Sequence, residues 1–156
     1  MIKLPSFPLH GGCACGQVRY TLTAPPLCVY TCHCRACQTL TASAFSTNGP
    51  VRPETFEITK GELRHWVRTA EDSGNQIPQF VCPNCGVRIY TRPASGPTLT
   101  LRLGTLDNTS WLWPAAAIYL ASAQPWVQMP HGTLRHDGAA PDFRVFIAHW
   151  QAMIES

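Results

Sequence analysis

The sequence carries little charge. Only 13% of its 156 residues are Asp, Glu, Lys or Arg, about half the share of an average soluble domain. With 45% hydrophobic residues, that excludes the charge-rich disordered chain that cannot bury a core. Long apolar runs are missing as well. No window of about 18 apolar residues occurs, so no membrane-spanning helix is expected. The opening MIKLPSFPLH sets two prolines in an apolar stretch too short for an export signal. Runs of like charge are also lacking. The formal charge is +3, yet the twelve Lys and Arg are scattered, so no stretch matches adjacent phosphates and no nucleic-acid partner is expected. Nor is there a repeat of about 20–50 residues. A single domain in the cytoplasm, with no membrane partner, is the expectation.

Turn residues and short β-rich segments fill the space that these absences leave. Fourteen prolines and eleven glycines are many for a helical bundle and fewer than low-complexity sequence contains. Strands are predicted at residues 17–23, 27–33, 55–59, 64–69, 79–82, 88–91, 98–103, 118–122 and 126–129. In the first, Val18, Tyr20 and Leu22 share one parity and should face a core, with Arg19 and Thr21 outward. Lys60-Gly61 reads as a hairpin turn. Helix is expected in a short turn from about Cys34. It is expected again over 142–154, where Phe143, Phe146, Ile147, Trp150 and Ile154 recur at helical spacing. The fold class is therefore mainly β, with a short C-terminal helix.

Chemistry is concentrated in the cysteines. Seven of the eight fall into three tight clusters: Cys13-Ala14-Cys15-Gly16, Cys32-His33-Cys34-Arg35-Ala36-Cys37 and Cys82-Pro83-Asn84-Cys85-Gly86. In a reducing compartment such spacing serves metal chelation more readily than disulfides, because two thiolates from one turn converge on a tetrahedral ion at little entropic cost. Cys82 and Cys85 form a knuckle, and Cys13 with Cys15 is the complementary pair. These four are assigned to one closed, structural zinc, in preference to a thioredoxin-like dithiol at Cys82 and Cys85, because no βαβ pattern surrounds it.

Cys32, Cys34 and Cys37 then remain as three thiolates. Three protein ligands with one position open is the arrangement of a catalytic zinc. Cys28 lies four residues before Cys32, roughly 13 Å away along an extended chain, whereas sulfurs sharing a zinc are about 4 Å apart. It reads as a small buried hydrophobe. His33, between two ligands, should project to the opposite face of an extended segment, as a packing or supporting residue rather than a ligand. With Thr39 it is also a candidate proton donor. Phe45 and Trp126 are candidates to wall a substrate pocket, although aromatic residues near strand ends more often fill a core. Asp107, in Gly104-Thr105-Leu106-Asp107, reads as a turn residue bonding backbone N–H groups. Two loaded zinc centres, bearing charges of about −2 and −1, would bring the formal charge near zero.

Taken together, the motifs resemble the family of glutathione-dependent formaldehyde-activating enzymes and centromere protein V. They are Gly12-Cys13-Ala14-Cys15-Gly16-Gln17-Val18-Arg19-Tyr20, Cys32-His33-Cys34 with Cys37, Ser43-Ala44-Phe45, Phe80 with Cys82, Cys85 and Gly86, Gly104-Thr105-Leu106-Asp107, and Ser122 with Pro125-Trp126. The resemblance implies a single zinc-binding domain over residues 1–156 with its core at about 10–130, and a tent-like fold of sheets around zinc sites. It places a structural zinc on Cys13, Cys15, Cys82 and Cys85, and a catalytic zinc on Cys32, Cys34 and Cys37 that is free to be labile. It implies carbon–sulfur lyase chemistry, joining a small thiol such as glutathione to a small aldehyde such as formaldehyde. This chain has Thr41-Ala42 where the family often has Ser-Gly, and Ala117-Ile118 where it often has a His. Two other readings compete: a zinc-stabilised binding module without activity, and a thiol redox protein using Cys34 and Cys37.

Overall fold

The computed structural model describes residues 1–93 and 96–154. Its strands are β1 (Leu9–Gly12), β2 (Arg19–Leu22), β3 (Tyr30–Cys32), β4 (Ser46–Val51), β5 (Phe56–Lys60), β6 (Arg64–Thr69), β7 (Gln76–Val81), β8 (Arg88–Thr91), β9 (Leu99–Arg102), β10 (Ala116–Ile118) and β11 (Leu134–Arg135). The helices are α1 (Arg35–Thr41) and α2 (Phe143–Met153). The molecule is mainly β with a short C-terminal helix, as its composition implies. Two compact units are described: residues 1–4, 27–49 and 110–156, and residues 5–26 and 50–109.

In the first unit β3 is the hub. It pairs antiparallel with β4 and parallel with β10, which in turn pairs parallel with β11. Each residue of β3 is buried, as a strand covered on both faces requires. The helix α2 begins where the Asp142 carboxylate caps the backbone N–H of Arg144 at 2.9 Å. It buries Phe146 and Trp150 completely or nearly so. Trp150 lies 6.4 Å from the Trp111 ring, and Phe143 meets Tyr30 edge-on at 5.3 Å. Burial on this helix is confined to Phe146 and Trp150, with Phe143 left partly exposed.

The second unit contains a three-stranded antiparallel sheet, β1-β2-β5, and an antiparallel run β9-β8-β7-β6. Val18, Tyr20 and Leu22 are fully buried, as the period-two pattern requires. The Tyr20 ring packs on Phe56 at 5.1 Å, and its hydroxyl lies 2.9 Å from that of Thr105. Phe80 stacks on Tyr90 at 4.3 Å.

Four expectations are corrected. Lys60-Gly61 turns the chain, but β5 pairs with β2 and β6 with β7, so the flanking strands form no hairpin. Residues 120–122 form a 3-10 turn following a strand that ends at Ile118. Residues 126–129 form no strand, because Trp126 points to solvent and has no sheet face to cover. Asp107 bonds the Arg19 guanidinium through both carboxylate oxygens instead of backbone N–H groups.

Candidate metal centres and the adjoining cavity

Two turns build the first cluster, and they follow the same plan. In one, Cys13 N–H donates to Val18 O (3.0 Å) and Gly16 N–H to Cys13 O (3.2 Å). In the other, Cys82 N–H donates to Val87 O (2.9 Å) and Gly86 N–H to Cys82 O (3.0 Å). Gly16 and Gly86 both take φ +75°, a left-handed conformation that glycine adopts without penalty. A bulge accompanies each turn, between Arg19 and Tyr20 and between Phe80 and Val81, re-aiming the strand ends toward the cysteines. The result brings the sulfurs of Cys13, Cys15, Cys82 and Cys85 within 4.8 Å of one another. Cys13 and Cys82 are buried, whereas Cys15 and Cys85 are exposed.

Backbone donors converge on these sulfurs. The Val18 N–H donates to Cys13 Sγ at 3.2 Å. The Cys85 thiol is drawn below its usual pKa by the Val87 N–H, and the Cys15 thiol by the Asn84 side chain and then the Gln17 N–H. Donors aimed at sulfur favour the thiolate, the form that binds metal.

The second cluster gathers Cys32 from the end of β3, Cys34 from the cap of α1 and Cys37 from its first turn, again within 4.8 Å. Cys34 Sγ accepts the Cys37 backbone N–H at 3.4 Å, so one ligand candidate also caps the helix that carries another. The Cys32 thiol is pushed far above its usual value, first by the neighbouring Cys34 and Cys37 sulfurs and then by burial. Three sulfurs this close, two of them buried and the third half-buried, cannot all ionise unless a cation compensates them. Both clusters therefore could bind metal ions, and their all-sulfur donor sets are compatible with zinc. Neither includes Cys28, which is fully buried and whose thiol burial pushes up to about 12.

His33 is also absent from the second cluster. Its ring is 0% exposed, packs on Phe45 at 5.0 Å and has Nε2 3.0 Å from the Thr31 hydroxyl. Burial draws its pKa down, which favours the neutral ring. Phe45 thus contacts His33 and does not border the nearest cavity.

That cavity, about 430 Å³, is lined by Arg35, Gln38, Thr39, Ala42, Ser43, Ala44, Gln124 and Trp126. Trp126 is 70% exposed, so it forms part of a wall and no part of the core. Sequence reasoning did not single out Arg35, Gln38 or Gln124. A signal was present: Arg35 and Gln38 each follow a cluster cysteine by one residue, and their i,i+3 spacing sets them on one helix face.

Ala42 closes α1 at φ 49°. A left-handed L-residue costs roughly 1–2 kcal/mol, of which glycine's extra freedom in the unfolded chain takes back about 0.4–1 kcal/mol. Ala42→Gly is therefore expected to stabilise the fold by about 0.5–1 kcal/mol and to raise Tm by about 1–4 °C in thermal unfolding.

The fold and the clusters define a small β-rich protein with two candidate metal centres, one of four cysteines and one of three. The chain matches the model of the glutathione-dependent formaldehyde-activating enzyme family over residues 8–122, and it belongs to that family. It is 31% identical over 91 residues to a protein of Emericella nidulans provisionally named a glutathione-dependent formaldehyde-activating enzyme. That match covers 56% of this chain and 45% of the relative, so the chain spans less than half the length of that protein. Its fold is similar to a crystal structure of a Rhodobacter sphaeroides protein, with TM-score 0.51, 16% identity, and coverage of 65% of this chain and 91% of that one. No helix among the described residues is long and apolar enough to cross a membrane.

Proposed function

We propose that this chain is a zinc-dependent carbon–sulfur lyase that joins a small thiol such as glutathione to a small aldehyde, formaldehyde foremost, and catalyses the reverse. Cys13, Cys15, Cys82 and Cys85 hold a structural zinc in this reading, and Cys32, Cys34 and Cys37 hold a catalytic one. The observation that carries it is the difference in ligand number. Four sulfurs gather at one centre, enough to close a tetrahedron around an ion, whereas three gather at the other with no fourth His, Cys, Asp or Glu atom within 4.8 Å of them all among the described residues. A zinc held by Cys32, Cys34 and Cys37 would supply Lewis acidity that lowers the pKa of a substrate thiol. Family membership supports the choice of glutathione and formaldehyde.

The reaction balances without any redox partner. The sulfur lone pair forms the C–S bond, the carbonyl π pair moves to oxygen, and the proton shed by the thiol ends on that oxygen. The chain's own part is to hold and enclose. Gln38 donates from Nε2 to the carbonyls of His33 and Ser122, both at 2.8 Å, and fixes α1 against the segment that carries Cys32 and Cys34. Thr39 borders the cavity and is the favoured source of the returned proton. His33, the other candidate donor, is enclosed by Thr31 and Phe45.

Zinc-edge X-ray absorption with and without glutathione tests the reading. Two zinc ions per chain are expected, with glutathione adding one sulfur neighbour to the second. One zinc per chain, or a sulfur shell that glutathione leaves unchanged, would instead favour a metal-stabilised binding module.

A further inference from the structure

The cavity beside α1 is organised by hydrogen bonds that end on one cation. Gln38 is 4% exposed and uses both ends of its amide. Its Nε2 holds the carbonyls of His33 and Ser122, while its Oε1 accepts from Arg35 Nη1 at 2.7 Å and from Gln124 Nε2 at 3.3 Å. Gln124 Oε1 in turn accepts the Trp126 indole N–H at 2.8 Å. Ser122 Oγ donates to the same His33 carbonyl at 3.0 Å. A single buried amide therefore sets the position of the guanidinium and, through Gln124, of the indole.

The chemistry of the wall is one-sided. Arg35 is its sole ionised residue, and no carboxylate lines it. One guanidinium N–H is committed to Gln38, and among the described residues no second acceptor engages the others. A guanidinium pre-oriented at the mouth of a polar cavity, beside an exposed indole face, matches a carboxylate carried on a small organic molecule. Arg35 and Gln38 directly follow Cys34 and Cys37 in sequence, so the anion site and the three-sulfur cluster share one short helix.

We infer that this cavity recognises a carboxylate of the substrate thiol, with Arg35 as the charge that binds it and Gln38 as the positioning residue that presents Arg35. The inference rests on the lyase reading and deepens it by naming Arg35 as the residue that distinguishes a carboxylated thiol from a neutral one.

Calorimetric titration with S-methylglutathione tests this apart from turnover, because the thioether cannot form a thiolate. The zinc-loaded wild-type protein is expected to bind it. Arg35→Ala should weaken binding about five- to tenfold, the range for a partly exposed charge-assisted contact. Arg35→Lys should fall between, since it keeps the charge and loses the planar fork. The dimethyl ester of S-methylglutathione should bind the wild type as weakly as the free acid binds Arg35→Ala. Equal affinity of acid and ester, unchanged affinity in Arg35→Ala, or no binding to the wild type would overturn the inference. Failure of the wild type to turn over glutathione and formaldehyde would count against the lyase reading alone.

Discussion

Replacing Cys37 with serine is expected to lower aldehyde-dependent consumption of thiol by at least about 10³-fold while the far-UV circular dichroism stays that of the parent. The magnitude follows from ligand count. With three sulfurs the second centre is already one short of tetrahedral closure, and two cannot hold zinc against water and buffer. The activation that the metal supplies is worth several kcal/mol, and each 1.36 kcal/mol is about tenfold in rate. A serine hydroxyl does not replace the lost ligand, because it stays protonated at neutral pH. The fold should survive, since the substitution is nearly isosteric and the Thr41 hydroxyl still bonds the Cys37 carbonyl, now that of the serine, at 2.8 Å. Cys34→Ser is the companion variant, and it additionally weakens the cap on α1. Formation of the hydroxymethyl adduct, followed by NMR exchange, reads the effect. Full turnover in either folded variant sinks the assignment.

The clusters were legible because their information is local. A C-x-C or C-x-x-C spacing fixes two sulfurs within one turn whatever the rest of the chain does, and the excluded Cys28 followed from chain length alone. The strands at 64–69 and 88–91 were legible for a similar reason, as β-branched and aromatic residues sit between turn residues. What stayed hidden depends on distant partners. β1 is Leu9-His10-Gly11-Gly12 and β4 contains Gly49-Pro50, both poor strand sequences. β1 is extended because β2 pairs with it along its whole length, and β4 is started by the pairing of Ser46, Thr47 and Asn48 with β3. The Arg19–Asp107 pair joins residues 88 apart, and no sequence period announces it. Trp126 illustrates the opposite error: a strand was expected over residues 126–129, yet the indole lies at a cavity wall, bonded to Gln124. The polar network on Gln38 was unreadable because glutamine carries no pattern of its own until the chain closes around it.

Loss of the four-sulfur centre should have the larger consequence for stability. Cys13 and Cys15 are separated from Cys82 and Cys85 by about seventy residues, and a metal joining them closes that long loop. Structural zinc sites contribute roughly 10–16 kcal/mol of apparent binding free energy at neutral pH, against about 5–15 kcal/mol for the whole stability of an ordinary domain. Cys82→Ser is therefore expected to leave residues 5–26 and 50–109 without cooperative structure at 25 °C. Their amides should lose hydrogen-exchange protection, and the near-UV dichroism of Tyr20, Phe56, Phe80 and Tyr90, which pack on one another there, should collapse. Chelation should separate the two centres in order. A moderate chelator takes the three-sulfur metal first, abolishing turnover with the fold intact, because one fewer ligand must be displaced. A stronger one, approaching through the exposed Cys15 and Cys85, removes the four-sulfur metal and unfolds the unit. If Cys82→Ser keeps native exchange protection, or if unfolding precedes the loss of activity, the division into a structural and a catalytic centre is reversed or wrong.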